Sequence, residues 1–119
     1  MQMDATKIMI QTQTGSLFVD LQEIIFCKGQ GSYTELTLTL DRKILSANLL
    51  KEFENLLVSP GRKFIRLHRS FLVNIDHILE YRKCSKRMVI LSGPVEVPVA
   101  HRKSRVFNDL MKGHFLHLS

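Results

Sequence analysis

Residues 64–82 read FIRLHRSFLVNIDHILEYR. The stretch opens as an alternating strand, Phe64-Ile65-Arg66-Leu67, and breaks at His68-Arg69-Ser70. It resumes apolar through Phe71-Leu72-Val73, turns at Asn74-Ile75-Asp76 and ends in a strand-like run from His77 to Tyr81. Short apolar segments bounded by polar breaks predict β-strands joined by tight connections. Two cations, an imidazole and a hydroxyl are held between apolar anchors. That arrangement suits the presentation of polar atoms to an anion from a stiff frame.

Working upstream, residues 7–12 and 16–19 read as two strands about a turn at Thr14-Gly15, and residues 20–23 as one short helical turn. Ile24 to Cys27 reads as a buried strand that enters a glycine-bearing loop, Lys28 to Ser32. Tyr33 to Leu40 carries the cleanest period-two signal, which predicts Leu36, Leu38 and Leu40 in the core. Asp41-Arg42 turns into a returning strand, Lys43 to Ser46. Residues 47–57 change period: Leu49, Leu50, Phe53, Leu56 and Leu57 fall on one helical face, with Ser46 or Asn48 as cap and Ser59-Pro60-Gly61 as stop.

Downstream, Lys83 to Arg87 is a basic turn, Met88 to Leu91 a strand, and Val95 to Val99 a last strand. Pro98 cannot donate to a ladder, so that strand belongs at an edge or a bulge. Residues 102–112 regain helical spacing, with Val106, Phe107, Leu110 and Met111 on one face and Gly113 as stop. Many short strands, one short interior helix and one C-terminal helix predict a mainly β domain.

The chain has 119 residues and fits one domain, 1–119, with its core at about 8–111. No run approaches the roughly 20 apolar residues of a membrane span. The first fifteen residues lack the long apolar region of a secretory signal. Cys27 and Cys84 are the only cysteines; two reduced thiols in a cytoplasmic protein are the reading preferred over a disulfide between them. Residues 62–105 hold eleven of the seventeen Lys and Arg against three acids, whereas the remainder holds six basic and eight acidic residues. This asymmetry points to a face for a polyanion, with a plain solvated surface as the alternative.

Nucleic-acid recognition needs cations and donors on rigid loops. Three loops qualify: Lys28 to Tyr33, His68-Arg69-Ser70, and Ala100-His101-Arg102-Lys103. Arg69 and Arg102 have the planar fork that matches guanine O6 and N7. Lys28, Lys63, Ser70 and Lys103 suit phosphates. The structural alternatives are that Tyr33 caps a strand, Arg69 pairs with Asp76 and Arg102 steadies the last helix. His68 and Ser70 lack a nucleophile elbow, and the cysteines and His114 and His117 lack metal-site spacing. No catalytic group, metal or cofactor is therefore expected.

At FIRLHRSFLVNIDHI the sequence resembles the LytTR DNA-binding domain family of bacterial transcription and response regulators. Phe64, Arg66, His68, Arg69, Ser70, Phe71, Leu72, Val73, Asn74, His77 and Ile78 fit its signature. Ile24-Ile25-Phe26 with Gly31-Ser32-Tyr33 resembles the family's upstream strand and loop, and residues 97–102 (VPVAHR) its closing motif. The likeness runs from about Ile8 to Met111.

The resemblance implies an elongated antiparallel β-sheet sandwich whose loops enter successive major grooves of a bent duplex. It carries loop contacts to Tyr33, Arg69 and Arg102, and backbone contacts to Ser70 and Lys103. His101 stands where the family often has Arg, which makes that contact pH-sensitive. Ala100 stands where Ser is frequent, removing a phosphate donor. The implied role is sequence-specific control of transcription at repeated promoter sites, by two copies side by side. A receiver or sensor domain is implied as a companion if the chain is a fragment. Two other readings are kept: a basic β module for RNA, and a protein-interaction module using the strand at Val95 to Val99.

Overall fold

Alternation in the middle of the chain becomes a five-stranded antiparallel sheet. The structure, a computed structural model, describes residues 6–59 and 61–118. The sheet is built from β3 (Ile24–Gln30), β4 (Tyr33–Leu38), β5 (Lys43–Ser46), β6 (Phe64–His68) and β7 (Phe71–Asn74), in the order β5-β4-β3-β7-β6. Two smaller antiparallel sheets flank it. One is the hairpin of β1 (Lys7–Thr12) and β2 (Gly15–Asp20); the other joins β8 (Ile78–Arg82), β9 (Met88–Leu91) and β10 (Val95–Pro98) in the order β10-β9-β8. Helix α1 (Leu50–Leu57) lies between β5 and β6 in sequence, and α2 (Ser104–His114) closes the fold. The fold is mainly β and moderately elongated, 48 × 38 × 26 Å.

The central sheet is apolar on both faces. Ile24, Cys27, Leu36, Leu38, Phe64 and Leu72 meet the β1–β2 hairpin and Leu50, Phe53 and Leu57 of α1. Ile25, Phe26, Ile65, Leu67 and Val73 meet β9, β10 and Phe107 of α2. A bulge between Ile24 and Phe26 puts Ile25 and Phe26 in the same cluster, against strict alternation. Each buried side chain of this size contributes about 1.5–3 kcal/mol. Asn74 ties the layers together: its Nδ2 donates to Ile24 O at 3.0 Å, and its Oδ1 accepts from Asp76 N and starts a short 3₁₀ turn. Burial pushes the Cys27 thiol up to about 12, while Cys84 is exposed, and both are free thiols.

Several sequence expectations need correction. Leu40 is not in the core but 91% exposed, because β4 ends at Leu38 and residues 40 and 41 form a tight turn, with φ of 61° and 58°. Leu49 and Leu56 are exposed, so α1 buries a narrower stripe than its leucines suggest. Neither Ser46 nor Asn48 caps α1. The Glu52 carboxylate accepts from Leu49 N at 2.7 Å, while Ser46 and Asn48 bind Gln11 of β1. Val106 is exposed, and α2 runs through Gly113 to His114. Pro60, expected in the stop of α1, lies outside the described residues, as do residues 1–5, on which the reading of no secretory signal partly rests. The edge position expected for Pro98 is found, since β10 pairs only with β9. Among the described residues no helix is long and apolar enough to cross a membrane.

Candidate nucleic-acid interface

The first of the three expected loops is shorter than its sequence suggests. Lys28, Gly29 and Gln30 belong to β3 and Tyr33 to β4, leaving Gly31-Ser32 as the turn, with Gly31 at φ 62°. A Cβ on Gly29 would come 3.2 Å from Leu50 Cδ2, so glycine lets α1 start close against β3. The second loop is also tight: His68 ends β6 and Phe71 starts β7, so Arg69-Ser70 makes the reversal. The third is a 3₁₀ turn, His101–Lys103, leading into α2.

Two backbone bonds bring these connections to one margin of the central sheet. Gly29 N donates to Ser70 O at 2.9 Å, which sets the β3–β4 hairpin beside the Arg69 turn. Ala100 N donates to Leu67 O at 2.8 Å, which sets the 3₁₀ turn on the end of β6. Arg69 and Arg102 line one shallow hollow with Lys51, Glu54, Arg66, His68 and Lys103. Both arginines are exposed, and neither guanidinium has an ion pair or hydrogen bond among the described residues. Tyr33 is 41% exposed at the hairpin end, opposite Gln30. Lys28 Nζ sits 5.9 Å from the centre of the Phe71 ring.

The turn that carries Arg69 is held from beneath. Ser70 N donates to His68 Nδ1 at 3.1 Å, which assigns the ring proton to Nε2 when the imidazole is neutral. Arg66, half-buried in β6, donates from Nε to His68 O at 2.9 Å and from Nη2 to Arg69 O, and pairs through Nη1 with Glu54 Oε1 at 2.8 Å. Lys51 stands 3.5 Å from the same carboxylate oxygen.

Lys63 is not brought to this margin. It precedes β6 at the opposite end from Arg69 and pairs with Asp76 at 2.9 Å. Asp76 also accepts from Gln22 Nε2 and lies 3.4 Å from His114 Nε2, and it makes no pair with Arg69. Two basic groups near this margin were not among the expected contacts. Lys51 reaches the hollow from α1, and the basic turn at Lys83 to Arg87 lines a second hollow with His68 and His101. The charge run at 83–87 was the available signal for the latter. For Lys51 there was none, because its place depends on where α1 docks.

The LytTr DNA-binding domain profile matches residues 14–112. The chain is similar to the LytTr DNA-binding domain of a putative methyl-accepting/DNA response regulator from Bacillus cereus, with 25% identity and a TM-score of 0.74 over 91% of this chain and 98% of that one. It is also 27% identical over 108 residues to the heme-containing CO-sensing transcriptional regulators RcoM 2 and RcoM 1 of Paraburkholderia xenovorans strain LB400. That match covers 88% of this chain but only 39% of each regulator.

Proposed function

The chain belongs to the LytTr DNA-binding domain family, and from that premise we propose that it binds duplex DNA sequence-specifically to regulate transcription. Arg69 and Arg102 read base edges in the major groove, and Tyr33 contacts the duplex from the neighbouring hairpin. Ser70, Lys103, His101 and Lys28 engage phosphates. Lys63 is left out of the interface, because its ammonium already serves Asp76. The observation that carries this reading is the shared hollow, where two exposed guanidiniums stand without internal partners among the described residues. A forked donor held on a short turn suits bidentate contact with guanine. Two copies bind side by side on repeated sites. In a longer regulator the module would deliver the output of a receiver or sensor domain, as fits relatives more than twice its length.

Selection of bound duplexes from a random pool tests the proposal. Recovery of a repeated motif, with affinity lost on Arg69→Ala or Arg102→Ala, supports it. Preferential retention of structured RNA in competition, or binding without sequence preference, overturns it.

A further inference from the structure

Arg66 lines the hollow, yet it directs one donor from each of its three nitrogens to acceptors within the protein. Its Nε reaches His68 O at 2.9 Å, its Nη2 reaches Arg69 O, and its Nη1 reaches Glu54 Oε1 at 2.8 Å. The first two acceptors are backbone carbonyls of the turn that presents Arg69. The third belongs to α1, which buries Leu50, Phe53 and Leu57 in the core. The Arg66 and Glu54 side chains are only 18% and 21% exposed, so water competes weakly for these bonds.

We propose that Arg66 and Glu54 together are positioning residues for base readout, fixing the Arg69 turn to α1 so that the Arg69 guanidinium is aimed before DNA arrives. This rests on the assignment of Arg69 to the interface. Three features favour it over a merely stabilising ion pair. The three bonds need a planar guanidinium, which spans divergent acceptors as an ammonium cannot. Two of them hold carbonyls at a reversal of only two residues, where a small backbone rotation swings the Arg69 side chain widely. Among the described residues Glu54 is also the only acid lining a hollow that otherwise holds Lys51, Arg66, His68, Arg69, Arg102 and Lys103. A carboxylate there opposes DNA binding, so its presence is better explained by the geometry it maintains than by affinity.

The test compares wild type, Arg66→Lys, Glu54→Gln, Arg69→Ala and the double variant Arg66→Lys/Arg69→Ala on the selected duplex and a scrambled one. Arg66→Lys keeps the charge and should lower the specific-to-nonspecific affinity ratio roughly five- to tenfold, leaving the salt dependence unchanged. In the Arg69→Ala background it should cost nothing further, because the group it aims is gone. Glu54→Gln should raise binding to the scrambled duplex while lowering the ratio. Hydrogen exchange read without DNA should show faster exchange at residues 69–71 in Arg66→Lys and in Glu54→Gln, with β9 unchanged. Additive losses in the double variant, an unchanged ratio in both Arg66→Lys and Glu54→Gln, or unchanged exchange at the turn in those two would overturn the proposal. If Arg66→Lys does not fold, Glu54→Gln decides alone. Failure of the wild type to prefer any duplex would instead refute the DNA reading, and the exchange measurement would still judge the hold on the turn.

Discussion

Lys63 Nζ stands 2.9 Å from Asp76 Oδ2, at the end of β6 away from the Arg69 turn. Asp76 gathers Gln22, Lys63 and His114, so one carboxylate links the first hairpin region, the start of β6 and the end of α2. Partial burial works against its charge, but the donors from Lys63, Gln22 and His114 outweigh that cost and hold the carboxyl below its ordinary range. A carboxyl lowered on folding stabilises the fold above its unfolded pKa, about 3.9, and loses that contribution as pH falls through the folded value. We expect Asp76→Asn to lower the urea midpoint at neutral pH and to match wild type once the pH is well below about 4. A gap of the same size in acid would mean that Asp76 acts through packing rather than charge.

For the interface, Arg69→Ala and Arg102→Ala should each weaken binding to a selected duplex by about 1–3 kcal/mol. The fold should survive, since both guanidiniums are exposed and bonded to nothing else among the described residues. Fluorescence anisotropy with a labelled duplex measures the first effect and a thermal melt the second. Unaltered affinity in both variants would remove these residues from recognition.

Lys103 offers a contrast, because a point charge on phosphate carries no base information. Lys103→Ala should weaken binding to all duplexes alike and reduce the slope of log affinity against log salt by roughly one. A change in the preferred sequence, with the slope intact, would argue for base contact instead.

The hairpin between β4 and β5 gives a prediction independent of function. Leu40 and Asp41 both hold positive φ, which costs ordinary residues about 1–2 kcal/mol each, and the Leu40 side chain is almost fully in solvent. Replacing them with Asn-Gly, the pair favoured in such turns, should stabilise the domain by about 1 kcal/mol or more without touching the core. Chemical denaturation would reveal it; a loss of stability would mean that contacts of Leu40 or Asp41 within the domain outweigh the cost of their backbone conformation.

What was legible in the sequence follows from which signals are local. Alternation at Tyr33 to Leu38 and the polar breaks at Arg69-Ser70 and Ser92-Gly93 are local, and the strands came out where expected, except that β3 runs on to Gln30 and β4 stops at Leu38. Leu40 misled because apolar alternation runs one residue pair past the last ladder bond, and nothing in residue type marks that end. Leu49 and Leu56 misled because helical spacing tells which residues share a face, not how much of that face the sheet covers. Arg69 and Arg102 were singled out by their motif, and the fold brings them to one hollow. Lys63 lies close to Arg69 in sequence, yet a strand of five residues carries the chain to the opposite end. The roles of Arg66 and Glu54 were invisible for the same reason: they join residues twelve apart across a helix-to-strand connection.

The central sheet has no weather side. Leu72 and Val73 are successive residues of β7, and each is sealed beneath a different cover, one by α1 and the first hairpin, the other by the outer sheet and α2. Peeling away either cover wets the reverse of strands that the remaining cover still needs dry. The domain therefore has no halfway house in which one side melts while the other stands, and its two apolar halves should come apart in a single step.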